Sequence, residues 1–93
     1  MKHEFHTQYE EDLVELLEEV EERTLVLHND DVNTFDWVIQ CLMKICKHTA
    51  PQAEQITLLI HFKGKANVKK GTFDDLKPLK DAFIDKGINA TID

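Results

Sequence analysis

Residues 24–93 alternate short apolar runs with helical segments, and this order limits the folds open to the chain. Three segments carry apolar residues at three- and four-residue spacing and are predicted helices. Short apolar or alternating runs before, between and after them predict three strands. The order is therefore β-α-α-β-α-β. We expect an α+β sandwich in which three helices pack on a small, mainly antiparallel three-stranded sheet.

Capping residues set the predicted bounds of the first strand and the first two helices. The strand covers 25–27, and the first helix covers 34–47 with Asn33 or Thr34 as its N-cap. The second helix starts from a capping box at 49–52 and runs to about residue 63, where Gly64 ends it.

The last third of the chain predicts an edge strand, a third helix and a final strand. Lysines alternate with Ala66 and Val68 over 65–70, which is typical of an exposed edge. Thr72 caps a helix that Gly87 ends, and alternation over 88–92 gives the final strand. Pro78 lies inside this helix, so it should kink the helix or move its start later.

Helical spacing also predicts which side chains are buried. The expected buried faces are Phe35, Val38, Leu42 and Ile45 on the first helix; Ala53, Ile56, and Leu59 or Ile60 on the second; and Phe73, Leu76, Leu79 and Phe83 on the third.

Composition excludes several classes of function. A length of 93 residues predicts one domain, and a net charge of −7 argues against a nucleic-acid partner. No apolar run reaches the roughly 18 residues that span a membrane, so no membrane partner is expected. The first residues lack the apolar core of a signal peptide, and we expect a cytoplasmic protein. Cys41 and Cys46 lie about 140° apart on a helix, which predicts buried reduced thiols and no disulfide.

Residues 1–23 form an acidic extension that differs from the domain at 24–93. Its apolar residues predict an amphipathic helix over 9–23, with a narrow stripe made of Leu13, Leu16, Leu17 and Val20. This helix either packs on the domain or serves as an arm that docks on a partner. Its run of carboxylates has the simpler interpretation of a solvated face.

A cluster of polar acceptors follows the first strand. Asn29, Asp30 and Asp31 could simply form a turn and cap the next helix. His61 could likewise be a capping side chain near a helix end. Together these residues offer oxygen and nitrogen acceptors without an obvious nucleophile. They would suit a cation or an ammonium group, and no catalytic role or cofactor is predicted.

Three segments in order resemble the ClpS adaptor family: L-V-L-H-N-D-D at 25–31, F-D-W-V at 35–38, and I-H-x-x-G-K-A at 60–66. The resemblance covers about residues 24–93. It implies a non-enzymatic adaptor that binds proteins starting with a bulky hydrophobic residue (N-degrons). The adaptor would deliver them to a AAA+ unfoldase of the ClpA or ClpC type.

The resemblance also implies roles for individual residues. Asn29, Asp31 and His61 would hold the substrate's α-amino group and first peptide unit, with Asp30 in the same substrate-binding cluster. The resemblance assigns the walls of the hydrophobic pocket to His28, Asn33, Phe35, Val38, Thr57 and Ile60. Unfoldase docking falls near the start of the third helix, at Asp74, Lys77 and Lys80.

The pocket departs from the family pattern at three positions. The family usually has Met where this chain has Phe35, commonly has Met where Thr57 stands, and more often has an apolar residue at His28. Phe35 should make the pocket rim stiffer, since Met is the more adaptable side chain.

Two other functions fit parts of the sequence. Asp30, Asp31 and His61 could ligate a divalent ion, as could His3 and His6, but no recognised metal-binding spacing is present and no metal is predicted. Alternatively, the chain is a generic protein-interaction domain of the same fold that acts through its acidic arm.

Overall fold

The computed structural model describes residues 7–93, apart from the side chain of Glu19. Its elements, in chain order, are α1 Gln8–Val20, β1 Arg23–His28, α2 Phe35–Ile45, α3 Ala50–Lys63, β2 Lys65–Gly71, α4 Phe73–Asp85 and β3 Ala90–Ile92. The predicted order over 24–93 is confirmed. No helix within the described residues is long and apolar enough to cross a membrane.

The three strands form one antiparallel sheet in the order β2-β1-β3, which confirms the predicted sheet and its lysine-rich edge. Leu25 faces Lys69 and Val26 faces Asn67, so Val68 lies in a bulge on β2. The central position of β1 explains why Leu25, Val26 and Leu27 are all buried.

Local capping starts each helix of the core where the sequence predicts. Thr34, Thr49 and Thr72 each accept a hydrogen bond from the backbone N–H three residues later. The capping box at Thr49 is complete, since Gln52 bonds back to the Thr49 N–H. Gly64 ends α3 at φ 88°, the left-handed region that favours glycine.

Some predicted helix bounds are wrong. The first core helix ends at Ile45 rather than residue 47, because Cys46 caps it and Lys47 adopts a left-handed φ of 62°. Pro78 does not delay α4, which begins at Phe73. The acidic helix ends at Val20, since Arg23 already belongs to β1.

The core lies between the sheet and helices α2, α3 and α4, and its largest fully buried side chains include Leu42, Leu76 and Phe83. Two predictions of burial are wrong: Phe35 and Phe73 are exposed. Phe35 and Phe73 are the first residues of their helices and lie at the edge of the helix packing. Of the two alternatives on α3, Ile60 is buried and Leu59 is exposed. The predicted burial of the cysteines is confirmed for both Cys41 and Cys46, and both thiols are free.

Candidate functional site

A pocket of about 290 Å³ opens between the end of β1, the start of α2 and the last turns of α3. The loop 29–34, here called the lip loop, forms one side of it. The lining residues are Asn29, Asp30, Asp31, Asn33, Thr34, Phe35, Val38, Thr57, Ile60 and His61. Every residue predicted for substrate binding or the pocket wall is among them except His28, and Thr34 is the one addition.

The mouth of the pocket carries exposed polar groups. Asn29, Asp31 and His61 are all exposed. The backbone N–H of Asn29 donates to the carbonyl of Gly64 at 2.8 Å, which holds the start of the lip loop against the end of α3. This bond brings the first acceptor of the loop to the helix end that carries His61.

The floor of the pocket is formed by buried or half-buried side chains that are mostly apolar. Thr57 is 3% exposed and Ile60 is 5% exposed, while Val38 is half-buried. The Thr57 hydroxyl donates to the carbonyl of Ala53 at 2.7 Å, so its proton is already bonded within α3. A side chain that enters the pocket therefore meets no unpaired hydroxyl donor on this helix.

The aromatic rim joins the two helices that flank the pocket. Phe35 and His61 are arranged edge to face, with ring centroids 5.1 Å apart. Phe62 contacts the same imidazole at a centroid distance of 5.0 Å, yet it does not line the pocket. Of the two phenyl rings beside His61, only Phe35 therefore borders the space that a ligand would enter.

Asp30 uses its carboxylate within the lip loop. One oxygen accepts from the backbone N–H groups of Val32 and Asn33, both at 2.8 Å, and the other accepts from Asn33 Nδ2 at 2.7 Å. The Asn33 N–H is the main cause that lowers the pKa of Asp30. The bonds from the Val32 N–H and the Asn33 side chain act in the same direction, while partial burial opposes them.

His28 lies outside the main pocket. Its Nε2 shares a hydrogen bond of 2.8 Å with Thr91 Oγ1 on β3. It lines an adjoining cavity of about 20 Å³ with Ile88 and with five residues that also line the main pocket: Asn29, Asp30, Asn33, Val38 and Ile60. The role of His28 in the pocket wall stays a prediction, since its side chain lies beside the main pocket and bonds to the neighbouring strand. Alternation in β1 gave no sign of this, since the order of the strands was unknown.

The residues predicted for docking lie on α4. Asp74 and Lys77 are exposed, and Lys80 is half-buried. Lys77 Nζ lies 2.8 Å from Asp81 Oδ2, and Lys80 Nζ lies 3.8 Å from Asp81 Oδ1. The hydrogen bond from Lys77 is the main cause that lowers the pKa of Asp81.

Metal binding gains no support from the geometry. Within residues 7–93, no group of three or more His, Cys, Asp or Glu side chains is arranged to hold a metal ion. The carboxylate of Asp30 is instead bonded to local N–H donors. His3 and His6 lie outside the described residues.

Comparisons with known proteins agree with this fold. Residues 18–87 match the family model described as "ATP-dependent Clp protease adaptor protein ClpS". The chain is 39% identical over 69 residues to an ATP-dependent Clp protease adapter protein ClpS of Helicobacter hepaticus, covering 74% of this chain and 70% of that protein. It is similar in fold to Agrobacterium tumefaciens ClpS2 bound to L-phenylalaninamide, with a TM-score of 0.67 and 19% identity, covering 77% of this chain and 94% of that one.

A much longer eukaryotic protein also contains a similar segment. The chain is 47% identical over 55 residues to the E3 ubiquitin-protein ligase UBR1 of Drosophila melanogaster, which covers 59% of this chain but 3% of the ligase. The match to the family model spans most of the chain, from the last turn of α1 to just past the end of α4. The chain therefore belongs to the ClpS family of ATP-dependent Clp protease adaptors.

Proposed function

We propose that this protein binds the free N-terminus of proteins that begin with a bulky hydrophobic residue and delivers them to a AAA+ unfoldase of the ClpA or ClpC type. One observation carries the proposal: an exposed polar mouth, made of Asn29, Asp31 and His61, lies over a buried floor that includes Thr57 and Ile60. Such a pocket suits a ligand with one charged end and one apolar side chain.

The polar mouth has the chemistry that an α-amino group requires. An ammonium group carries three donors and is best satisfied by about three acceptors. The amide oxygen of Asn29, the carboxylate of Asp31 and a ring nitrogen of His61 can supply them. The bond to the Asp31 carboxylate would be charge-assisted and so the strongest. Internal residues of a protein lack this ammonium group, and selectivity for chain ends follows.

The apolar floor accounts for the first side chain. A volume of about 290 Å³ lies near the lower limit of ligand pockets, roughly 300 Å³, and suits one large side chain rather than several. L-Phenylalaninamide, which ClpS2 of Agrobacterium tumefaciens binds, joins a free amino group to an aromatic side chain. It thus resembles the first residue of a peptide that begins with Phe.

A peptide titration tests this function directly. The protein should bind a fluorescent peptide that begins with Phe and should not bind the same peptide after N-acetylation, because acetylation removes the ammonium charge. A third peptide that begins with Ser tests the apolar pocket and should bind weakly. Equal affinity for the free and acetylated Phe peptides would overturn the proposal.

Docking on the unfoldase is assigned to the start of α4, around Asp74, Lys77 and Lys80. These side chains lie on one helix and do not line the pocket, so the adaptor could bind a substrate and an unfoldase at the same time. Lys77→Glu would break the pair with Asp81 and reverse a charge on this face. It should weaken binding to the N-terminal domain of ClpA or ClpC while leaving the affinity for the Phe peptide unchanged.

The acidic extension at 1–23 is assigned a separate role in partner docking, beside the core domain at 24–93. Its helix α1 exposes Leu16, Leu17 and Val20, with Val20 60% exposed, so its apolar stripe is only weakly covered by the domain. This exposure also favours the second candidate function, a generic interaction domain that acts through its arm. Deleting residues 1–22 separates the two, since peptide binding should survive the deletion if the pocket is the functional site.

A further inference from the structure

The lip loop is held by a short network centred on Asp30 and Asn33. The two oxygens of Asp30 accept three hydrogen bonds of 2.7–2.8 Å, all from Val32 and Asn33. Two of these bonds close a local turn, which is a common use of an Asp side chain. Asp31, the next residue, is exposed and lies on the same pocket.

The side-chain amide of Asn33 links this turn to a distant part of the chain. Its Nδ2 donates to Asp30 Oδ2 at 2.7 Å and to the backbone carbonyl of Gly87 at 2.9 Å. Both partners are acceptors, so only the NH₂ group can stand between them, and its two protons are both used. A carboxylate here would face two acceptors with none of the required donors.

Gly87 belongs to the turn between α4 and β3, where it adopts a left-handed φ of 83°. A second bond ties the same turn to α2, because Trp37 Nε1 donates to the carbonyl of Lys86 at 3.1 Å. The lip loop is therefore fixed to this turn through the Gly87 carbonyl, and α2, which follows the loop, is fixed to it through the Lys86 carbonyl.

We infer that Asp30 and Asn33 are positioning residues: their bonds to each other and to Gly87 set the lip loop so that Asn29 and Asp31 meet the ammonium group, and Asp30 does not contact it. This inference rests on the proposed function and revises the sequence-based grouping of Asp30 with the direct ligands. It also makes the α4–β3 turn part of the binding site, although Gly87 does not line the main pocket.

The chemistry of the pair allows a test by exchange. In Asp30→Asn the new amide oxygen can still accept from both backbone N–H groups, but its NH₂ opposes that of Asn33. In Asn33→Asp two carboxylates face each other and the bond to Gly87 is lost. The double variant Asp30→Asn/Asn33→Asp restores a donor and an acceptor between positions 30 and 33. Asn67→Asp makes the same chemical change on the exposed side of β2 and serves as the control.

Titration with the Phe peptide should rank these variants. We expect Asp31→Asn to weaken binding by about 30-fold, since it removes a charge-assisted bond to the ligand. Asp30→Asn should weaken it by about fivefold and Asn33→Asp by about tenfold, through loss of loop bonds. The double variant should bind about threefold tighter than Asn33→Asp alone, because coupled positions are not additive. Asn67→Asp should bind like the wild-type protein.

Two results would overturn the inference. Asp30→Asn could weaken binding as much as Asp31→Asn, which would make Asp30 a direct ligand of the ammonium group. The double variant could bind no tighter than Asn33→Asp, which would remove the pairing between the two positions.

Amide hydrogen exchange provides a readout that does not need a peptide. The N–H groups of Val32 and Asn33 should be protected in the wild-type protein, remain protected in Asp30→Asn and lose protection in Asp30→Ala, with the core amides unchanged. If the wild-type protein fails to distinguish free from acetylated peptides, the proposed function fails. Fast exchange of these two N–H groups in the wild-type protein would overturn the hydrogen-bond network of the lip loop, whatever the result of the peptide titration.

Discussion

Phe35 and His61 meet edge to face at the pocket mouth, with ring centroids 5.1 Å apart and ring planes at 69°. Phe35 is the first residue of α2, and His61 lies in the last turn of α3. The contact therefore joins a helix start to a helix end. Because both rings are exposed, it shapes the entrance and adds little to the core. Its consequences should appear in ligand choice more than in stability.

Phe35→Ala should broaden the choice of first residue. Removing the ring widens the entrance, so branched side chains such as Ile should bind closer to the level of Phe. We expect the ratio of the affinity for the Phe peptide to the affinity for the Ile peptide to fall about tenfold. This is the upper end of what the loss of one aromatic contact contributes. Phe62→Ala removes the other ring that touches His61 without changing the pocket lining, and should leave the ratio unchanged. An equal effect from both variants would show that only the orientation of His61 matters.

Asp31→Ala should abolish detectable binding of the Phe peptide while the protein stays folded. The side chain is exposed and its removal leaves no cavity, so the free energy of unfolding should change by less than about 0.5 kcal/mol. Circular dichroism with urea titration measures the folding, and fluorescence anisotropy measures the binding. Asp36→Ala, an exposed neighbour that does not line the pocket, is the matched control. Retained binding in Asp31→Ala would contradict the assignment of the ammonium site.

Phe83→Ala should destabilise the fold strongly. The ring is fully buried beneath the sheet, and its loss removes apolar contacts and leaves a cavity. We expect a loss of about 3–5 kcal/mol in the free energy of unfolding. Ile84→Ala, at the next position of α4, alters a side chain that is 51% exposed and should change stability by less than about 1 kcal/mol. Similar losses in both variants would mean that α4 packs through a different face.

Cys46 should make stability depend on alkaline pH. Burial raises the pKa of its thiol to about 11 from a usual value of 9.0, while Lys69 acts weakly in the opposite direction. Because the folded pKa is raised, the stabilising effect is complete below pH 9 and is lost as pH rises through about 11. Urea titrations at several pH values should show a steeper fall for the wild-type protein than for Cys46→Ala. Parallel curves for the two proteins would contradict this account.

Local chemistry made much of the fold predictable. Each N-cap bonds a backbone N–H only three residues further along the chain, so the helix starts could be predicted from short stretches of sequence. This holds for Thr34, Thr49 and Thr72. Helical spacing correctly identified Leu42, Leu76 and Phe83 as core residues. It failed at Phe35 and Phe73, because spacing gives the direction of a side chain but not whether another element lies opposite it.

The site was predictable to the extent that its residues follow a recognisable pattern. Asn29, Asp31 and His61 were grouped from the resemblance, and the structure brings all three to one pocket. The sequence did not predict that Ile88 lines the small cavity of about 20 Å³ beside His28, since alternation identifies Ile88 only as a strand residue. The bond between His28 and Thr91 could not be predicted, because it depends on the order of the strands.

The sequence by itself determined the alternation of strands and helices, the helix starts and the acceptors that follow β1, because these depend on neighbours along the chain. Only the tertiary structure showed which of the two carboxylates is bonded within its loop and which is left exposed at the pocket. Asp30 and Asp31 are adjacent and chemically identical, yet Asp30 bonds within its loop and Asp31 stays exposed. The bond from Asn33 to Gly87 spans 54 residues, and no local pattern could reveal it. Through Asn33, the α4–β3 turn holds the loop in which Asp30 is bonded and Asp31 is exposed.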